Sequence, residues 1–315
     1  MSAEFTWTFD APTGVYKSHA LSSKLYEAAM EMTVFMDHIV PVDGYGRKQG
    51  ESVTLTRVSE LEEPGSAVLT ETDRISEDEF QLSTVAVTVN EYGRAVQYTS
   101  LAEDLSKFDI DNPIQKKLRN QMAKVVDASA ATAYKTAKVK YVPSAANAST
   151  ITTNGAFGAT AGSNMNFFHI EEIRDYMFDN LQVPMMNDSY VGIFRTQGLR
   201  GIKRDDDFLA WHQYTDPQKK FNSEVGQLEE IRFIETNHTT ALDRGLGTGS
   251  VLGEGVVFGD DSVVMAEALS PELRAGMPDD FGRKMGVAWY GIFEFLLVWD
   301  TANAGEARVV HVGSI

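Results

Sequence analysis

Leu82-Ser-Thr-Val-Ala-Val-Thr-Val-Asn90, continued by Glu91-Tyr92-Gly93-Arg94 and, a short interval later, by Asn112-Pro113-Ile114-Gln115, reads as a strand that feeds a long helix. Alternating β-branched residues over Val85, Val87 and Val89 suit a pleated strand. The apolar positions then change parity to Tyr92, Val96 and Tyr98, which predicts a bulge or bend at Asn90 to Gly93. Asn112 supplies an N-cap, Pro113 a first helical position, and Gln115 a capping-box return three residues after Asn112. Ile114, Leu118, Met122 and Val125, followed by Ala131 and Tyr134, form one apolar stripe, with Lys116, Lys117, Arg119 and Lys124 mostly off it. The pattern predicts a core-facing helix from Pro113 to about Lys138, roughly 39 Å long at 1.5 Å per residue, with Ile114, Leu118, Met122 and Val125 as its core. A helix of that length is a scaffold.

The 315 residues, 43% of them hydrophobic, suffice for one large domain or two moderate ones. A net charge of -17 argues against a sequence-independent grip on nucleic acid, which needs clustered Lys and Arg. The absence of cysteine excludes disulfides, iron–sulfur clusters and thiolate catalysis, and fits a reducing cytosol. No basic segment followed by an apolar one marks a secretion signal. The most apolar run, Gly286 to Trp299, contains Glu294 and is too short to span a bilayer of roughly 30 Å, so it reads as a buried strand, and no membrane partner is expected.

From the N-terminus, Phe5, Trp7 and Phe9 occupy alternate positions of an arm, and Leu21, Leu25, Ala28, Met32, Phe35 and Ile39 predict an amphipathic helix ending before Pro41. Ser52 to Val58 and Thr84 to Val89 predict a long hairpin with an acidic tip around Pro64-Gly65; such a ribbon is marginal alone and should lie on another surface, a neighbouring copy included. Ser100-Leu-Ala-Glu103 opens a short helix as a capping box. Residues 143 to 166, nearly all Ala, Ser, Thr, Asn and Gly, read as a surface connection between two lobes. In the second lobe Ile170, Ile173, Met177 and Leu181 stripe a helix capped by Asn166 and stopped by Pro184. Strands are expected at Tyr190 to Arg195, Ile231 to Ile234, Gly255 to Phe258 and Val263 to Met265, with Gly245-Leu-Gly-Thr-Gly as a flexible turn. Gly286 to Trp299 and Ala307 to Val312 are β-rich and are expected to return to the strand before the long helix.

The chemistry of sites is sparse. The Gly-rich turn fits neither phosphate fingerprint. Asp205-Asp206-Asp207 reads as a solvated loop tip, and Asp109-x-Asp111 fails as a calcium loop because Pro113 follows. His19, His38, His169, His212, His238 and His311 show no ligand spacing and are expected to be surface or packing residues. No serine sits in a nucleophile elbow. No catalytic residue, cofactor or metal site is therefore expected, and an enzyme is not the reading.

The order of an aromatic arm, a helix, a long acidic hairpin, a strand turning into a long helix, an outer lobe and a β-rich return resembles the major capsid protein of tailed bacteriophages, an α+β fold of the Hong Kong 97 type. Val85-x-Val-x-Val-Asn-Glu-Tyr-Gly93, Glu224-Val-Gly-x-x-Glu-x-Ile-x-Phe-Ile-Glu-Thr236 and the Gly286-to-Trp299 run resemble the N4-like branch. The resemblance implies an N-terminal arm (1–46), an extended loop (47–83), a peripheral domain (84–164 and 286–315) with the long helix as spine, and an axial domain (165–285). Phe5, Trp7 and Phe9 of the arm and Glu62, Glu63, Pro64, Glu71 and Arg74 of the loop are the expected contacts between subunits.

It further implies self-assembly through hexamers and pentamers into an icosahedral virion head around double-stranded DNA that is held without sequence-specific binding. A portal, a possible decoration protein and, since no long segment precedes the arm, a separate scaffolding protein are implied partners. Assembly in the host cytoplasm is expected. The acidic balance suits a wall past which packed DNA slides. The alternatives are an encapsulin-type compartment shell and, in another class, a carboxylate-dependent hydrolase using Asp205 to Asp207.

Overall fold

A computed structural model describes residues 29–42, 44–61, 68, 71, 74–75, 77–106, 111–205, 226–247, 251–276 and 280–315. The chain divides into two units, Met1–Met30 and Glu31–Ile315, and every element below belongs to the second.

Among the described residues, three sheets carry the architecture. β2 (Ser52–Val58) and β3 (Leu82–Thr88) pair antiparallel as a two-stranded ribbon, Ser52 opposite Thr88 and Val58 opposite Leu82. After Val89 the chain enters β4 (Asn90–Thr99) and changes sheets, which is the physical content of the parity flip. β4 is one edge of a four-stranded sheet of order β1-β11-β12-β4, with β1 at Val40–Pro41, β11 at Val263–Ala275 and β12 at Lys284–Leu297. β12 pairs antiparallel with β4, Lys284 opposite Thr99 and Phe293 opposite Asn90, so the Gly286-to-Trp299 run does return to the strand before the long helix, whereas the run ending at Val312 pairs in the other large sheet.

The seven-stranded sheet has the order β6-β5-β13-β10-β7-β9-β8. Its strands are β5 (Val139–Ala145), β6 (Ala148–Thr152), β7 (Tyr190–Arg195), β8 (Gln227–Leu228), β9 (Ile231–Thr236), β10 (Gly255–Phe258) and β13 (Val309–Val312). Alternate residues of its central strands enter different cores: Tyr190, Phe194, Val257 and Val310 pack toward Ile170, Ile173 and Met177, whereas Val191, Ile193, Val256, Phe258 and Val309 pack toward Ala130 and Tyr134. Burial on both faces explains why these strands read as continuous apolar runs.

The long helix α2 (Asp111–Lys135) follows the short α1 (Ser100–Leu105), and its 25 residues span about 38 Å. Leu118 is buried against Val287 and Trp289, with Ile114, Met122 and Val125 partly buried beside it. Val126, Ala130, Ala131, Ala133 and Tyr134 continue into the second core, so one helix lies along both larger sheets. Small alanines there allow close approach.

Several local expectations change. Asp111 already lies in the helix, and Gln115 Nε2 donates to Asp111 Oδ2 (2.8 Å) rather than returning to Asn112. Thr99 Oγ1, not Ser100, accepts the Ala102 N–H (3.3 Å) at the start of α1. Residues 29–35 form no helix, and only a 3₁₀ turn occupies Met36–His38; Leu21, Leu25 and Ala28 lie outside the described residues. The backbone donors of Val34 and Phe35 go to Asp127 instead of to helical carbonyls. The expected connection over 143–166 contains the end of β5 and all of β6, a hairpin with Tyr141 opposite Ile151. A composition typical of loops is overridden there by the pairing of β6 with β5, Pro143 opposite Ser149, on a strand that β13 holds just upstream, Val310 opposite Val139.

α3 (Phe167–Asp175) is capped by Asn166 as expected. His169 replaces the usual acid of the box: its N–H donates to Asn166 Oδ1 (3.3 Å), and its Nδ1 accepts the Asn166 N–H (3.2 Å). The strands also cut across the expected division at residues 164 and 285, since β5, β6 and β13 share a sheet with β7 to β10 while β11 joins β4 and β12.

Candidate functional site

No group of metal-ligating side chains assembles among the described residues, and no described helix is long and apolar enough to cross a membrane. The features that rise above packing are a projecting ribbon and two buried polar clusters along α2.

The ribbon is tied down at its base. Arg57 donates to Val298 O (3.1 Å) and to Asp300 Oδ1 (2.7 Å), and its guanidinium lies 5.1 Å from the Trp299 ring. Ser59 Oγ donates to Glu306 Oε1 (2.7 Å). Beyond this base, Leu61, Val68, Ile75, Phe80 and Leu82 are exposed, Val68 at 84%. Of the expected contact residues, Glu71 is exposed and Arg74 pairs with Glu77 (2.6 Å); Phe5, Trp7, Phe9, Glu62, Glu63 and Pro64 lie outside the described residues.

The first buried cluster centres on Asp127, which is completely buried. Its Oδ1 accepts the N–H groups of Val34 (2.9 Å) and Phe35 (2.8 Å), and its Oδ2 accepts His238 Nδ1–H (2.9 Å). Thr236 Oγ1 donates to Met32 O (3.1 Å), and Met32 N–H donates to Asn237 Oδ1 (2.6 Å). The segment entering this unit is thereby fastened to the spine helix and to the end of β9. A buried carboxylate that accepts three hydrogen bonds is satisfied, and removing it would orphan all three donors.

The second cluster joins Lys140, His311 and Glu254, each at most 5% exposed. An ammonium can only donate, so Lys140 Nζ donates to His311 Nδ1 (2.8 Å) and to Lys135 O (2.8 Å), and His311 Nε2–H donates to Glu254 Oε1 (2.7 Å). Glu254 Oε2 also accepts the Asp243 N–H (2.6 Å) and meets Lys135 Nζ (3.3 Å). Burial pushes Lys140 down to about 8, against the attraction of Glu254. Burial likewise lowers the His311 pKa, with the Lys140 charge adding to it against the Glu254 hydrogen bond. His169, His238 and His311 are thus interior hydrogen-bonding groups, whereas His19 and His212 lie outside the described residues.

A histidine whose folded pKa lies below its unfolded value gives stability that is complete above about pH 6.5 and fades as the pH falls below it. The thermal midpoint of the subunit should therefore drop between about pH 7 and 5, and His311→Gln should flatten part of that slope. His38 and His169, also lowered by burial, would keep the remainder. Identical slopes in wild type and variant would show that His311 contributes nothing.

Asp205 is not a free loop acid: its Oδ2 accepts the Phe167 N–H (2.9 Å) at the start of α3, while Asp206 and Asp207 lie outside the described residues. Asp205→Ala should cost about 1 kcal/mol in urea unfolding, and Asp205→Asn, which keeps an acceptor, less. A bound divalent ion lost in either variant would revive the acidic run as a site.

No family model matches this sequence, and no curated protein is similar to it. Solved structures are. The chain is similar to the capsid asymmetric unit of cyanophage Pam1, with 13% identity, 99% of each chain covered and a TM-score of 0.69. It is similar to the head structure of Helicobacter pylori bacteriophage KHP40, with 12% identity over 98% of this chain and 99% of that one and a TM-score of 0.69. It is also similar to the capsid of cyanophage P-SCSP1u, with 10% identity over 95% and 93% and a TM-score of 0.67. The fold is accordingly that of phage capsid subunits. Within that class it is the α+β fold of the Hong Kong 97 type, as its sequence order led us to expect.

Proposed function

We propose that this chain is the major capsid protein of a tailed bacteriophage, a structural subunit that assembles through hexamers and pentamers into an icosahedral head around double-stranded DNA. The observation that supports this reading most is coverage: the alignment to the capsid chain of cyanophage Pam1 takes in 99% of each chain with a TM-score of 0.69. The projecting ribbon with its exposed apolar side chains agrees with a subunit that works by contacts between copies rather than by chemistry.

In this reading the arm and ribbon are the gripping parts. The seven-stranded sheet with α3 is the axial lobe, and the four-stranded sheet with the first half of α2 is the peripheral one. Phe5, Trp7, Phe9, Glu62, Glu63, Pro64, Glu71 and Arg74 remain the proposed contacts. A separate scaffolding protein, a portal and a decoration protein are the proposed partners, with assembly in the host cytoplasm; the motifs around Val85 and Glu224 favour the N4-like branch. The test is expression with the scaffolding partner followed by electron microscopy and analysis of the contents. Shells that protect DNA during packaging support the reading, and shells filled with a cargo enzyme would replace it by a compartment.

A further inference from the structure

Phe281 is fully exposed at the turn that joins β11 to β12. Asp280, Phe281 and Gly282 have φ of 53°, 56° and 88°, three successive left-handed residues. Such a backbone is uncommon for a bulky side chain and persists where an arrangement has a use. Here it holds an aromatic ring out into solvent.

The same chain carries a socket. An open groove of about 370 Å³ runs between β4 and the first turns of α2, lined by Val96, Pro113, Ile114, Lys117, Leu118 and Gln121. Its floor belongs to the packed cluster of Leu118, Val287 and Trp289, so the groove is preformed and mostly apolar. Val96 stands opposite Val287 in the sheet, whereas Phe281 lies in the turn before β12, three residues ahead of Lys284, and does not line the groove. Ring and groove are thus separate surfaces near one end of the four-stranded sheet. Asp280 and Arg283 pair at 3.7 Å on the turn, and Lys117 lies at the groove, so Asp280 would meet a second opposite charge on docking.

We propose that the Phe281 ring of one copy seats in the groove at Val96, Ile114 and Leu118 of the next copy. A ring and a groove on different patches of one chain make a head-to-tail contact, which closes into a ring of copies or continues along a surface. This rests on the reading of the chain as a shell subunit. An aromatic ring buries roughly 150–250 Å², so Phe281 is an anchor within a larger interface.

Because the chain has no cysteine, Val96→Cys and Phe281→Cys can be read without background. Shells co-assembled from the two single variants and oxidised should give a covalent dimer on a denaturing gel, while shells of either variant alone should not. Shells of Phe281→Ala should dissociate at a temperature several degrees below wild type. Folded Phe281→Cys subunits that fail to assemble would also support the contact. Intact shells co-assembled from the two cysteine variants that give no dimer on oxidation, Phe281→Cys linking to itself, or an unchanged dissociation temperature for Phe281→Ala would overturn it and leave the shell reading intact. Wild-type subunits that never assemble would overturn both.

Discussion

Leu118→Asp should leave the subunit unfolded. Leu118 is 2% exposed and packs on Val287 and Trp289 where α2 crosses the four-stranded sheet. The change removes about 1.5–3 kcal/mol of apolar burial and places an unpaired carboxylate in the core at a further cost of several kcal/mol. Those losses are comparable with the whole stability of a typical domain, about 5–15 kcal/mol. The variant should accumulate as insoluble protein or show a disordered circular dichroism spectrum. Leu118→Met, which conserves volume, should cost less than about 1.5 kcal/mol and fold. A folded Leu118→Asp subunit with wild-type urea midpoint would show that α2 is not the spine.

Removing the ribbon tip should have the opposite effect on the two levels of structure. Replacing Glu60 to Glu79 by a short Gly-Ser linker deletes Leu61, Val68 and Ile75, which are exposed. It leaves the pairing of β2 with β3 and the Arg57–Asp300 anchor in place. The helical signal and thermal midpoint of the subunit should hold, because none of the removed residues that the structure describes belongs to the buried clusters. Assembly should fail, giving soluble subunits or capsomers that do not close. An unfolded deletion variant, or stable shells without the tip, would contradict this division between the fold and its contacts.

Elements that bury a stripe or a run on both faces were legible in the sequence. The stripe of α2 and the runs that became β7, β10 and β12 end within a few residues of their expected limits, because periodicity reports burial directly. The hairpin β5–β6 was hidden by a composition of small polar residues that become strand by pairing with each other, on a β5 whose first residues pair with β13. The segment before Met36 carries a helical spacing that Asp127 overrides by taking two of its backbone donors.

The buried clusters were invisible for a different reason. His311 and Glu254 are 57 residues apart, and His238 and Asp127 are 111 apart. No local spacing encodes either pair. Glu254 offered one usable hint, as an acid between Gly253 and Gly255, followed by a strongly apolar strand. Phe281 was equally silent, since exposure of an aromatic residue is a property of the turn that holds it.

Electron microscopy of the purified chain, alone and with its scaffolding partner, tests the central claim most directly. The account predicts closed icosahedral shells whose wall is built from this fold, with the ribbon of residues 52–88 lying on an adjacent subunit. A strictly monomeric species in every buffer, with the scaffolding partner present, would contradict it.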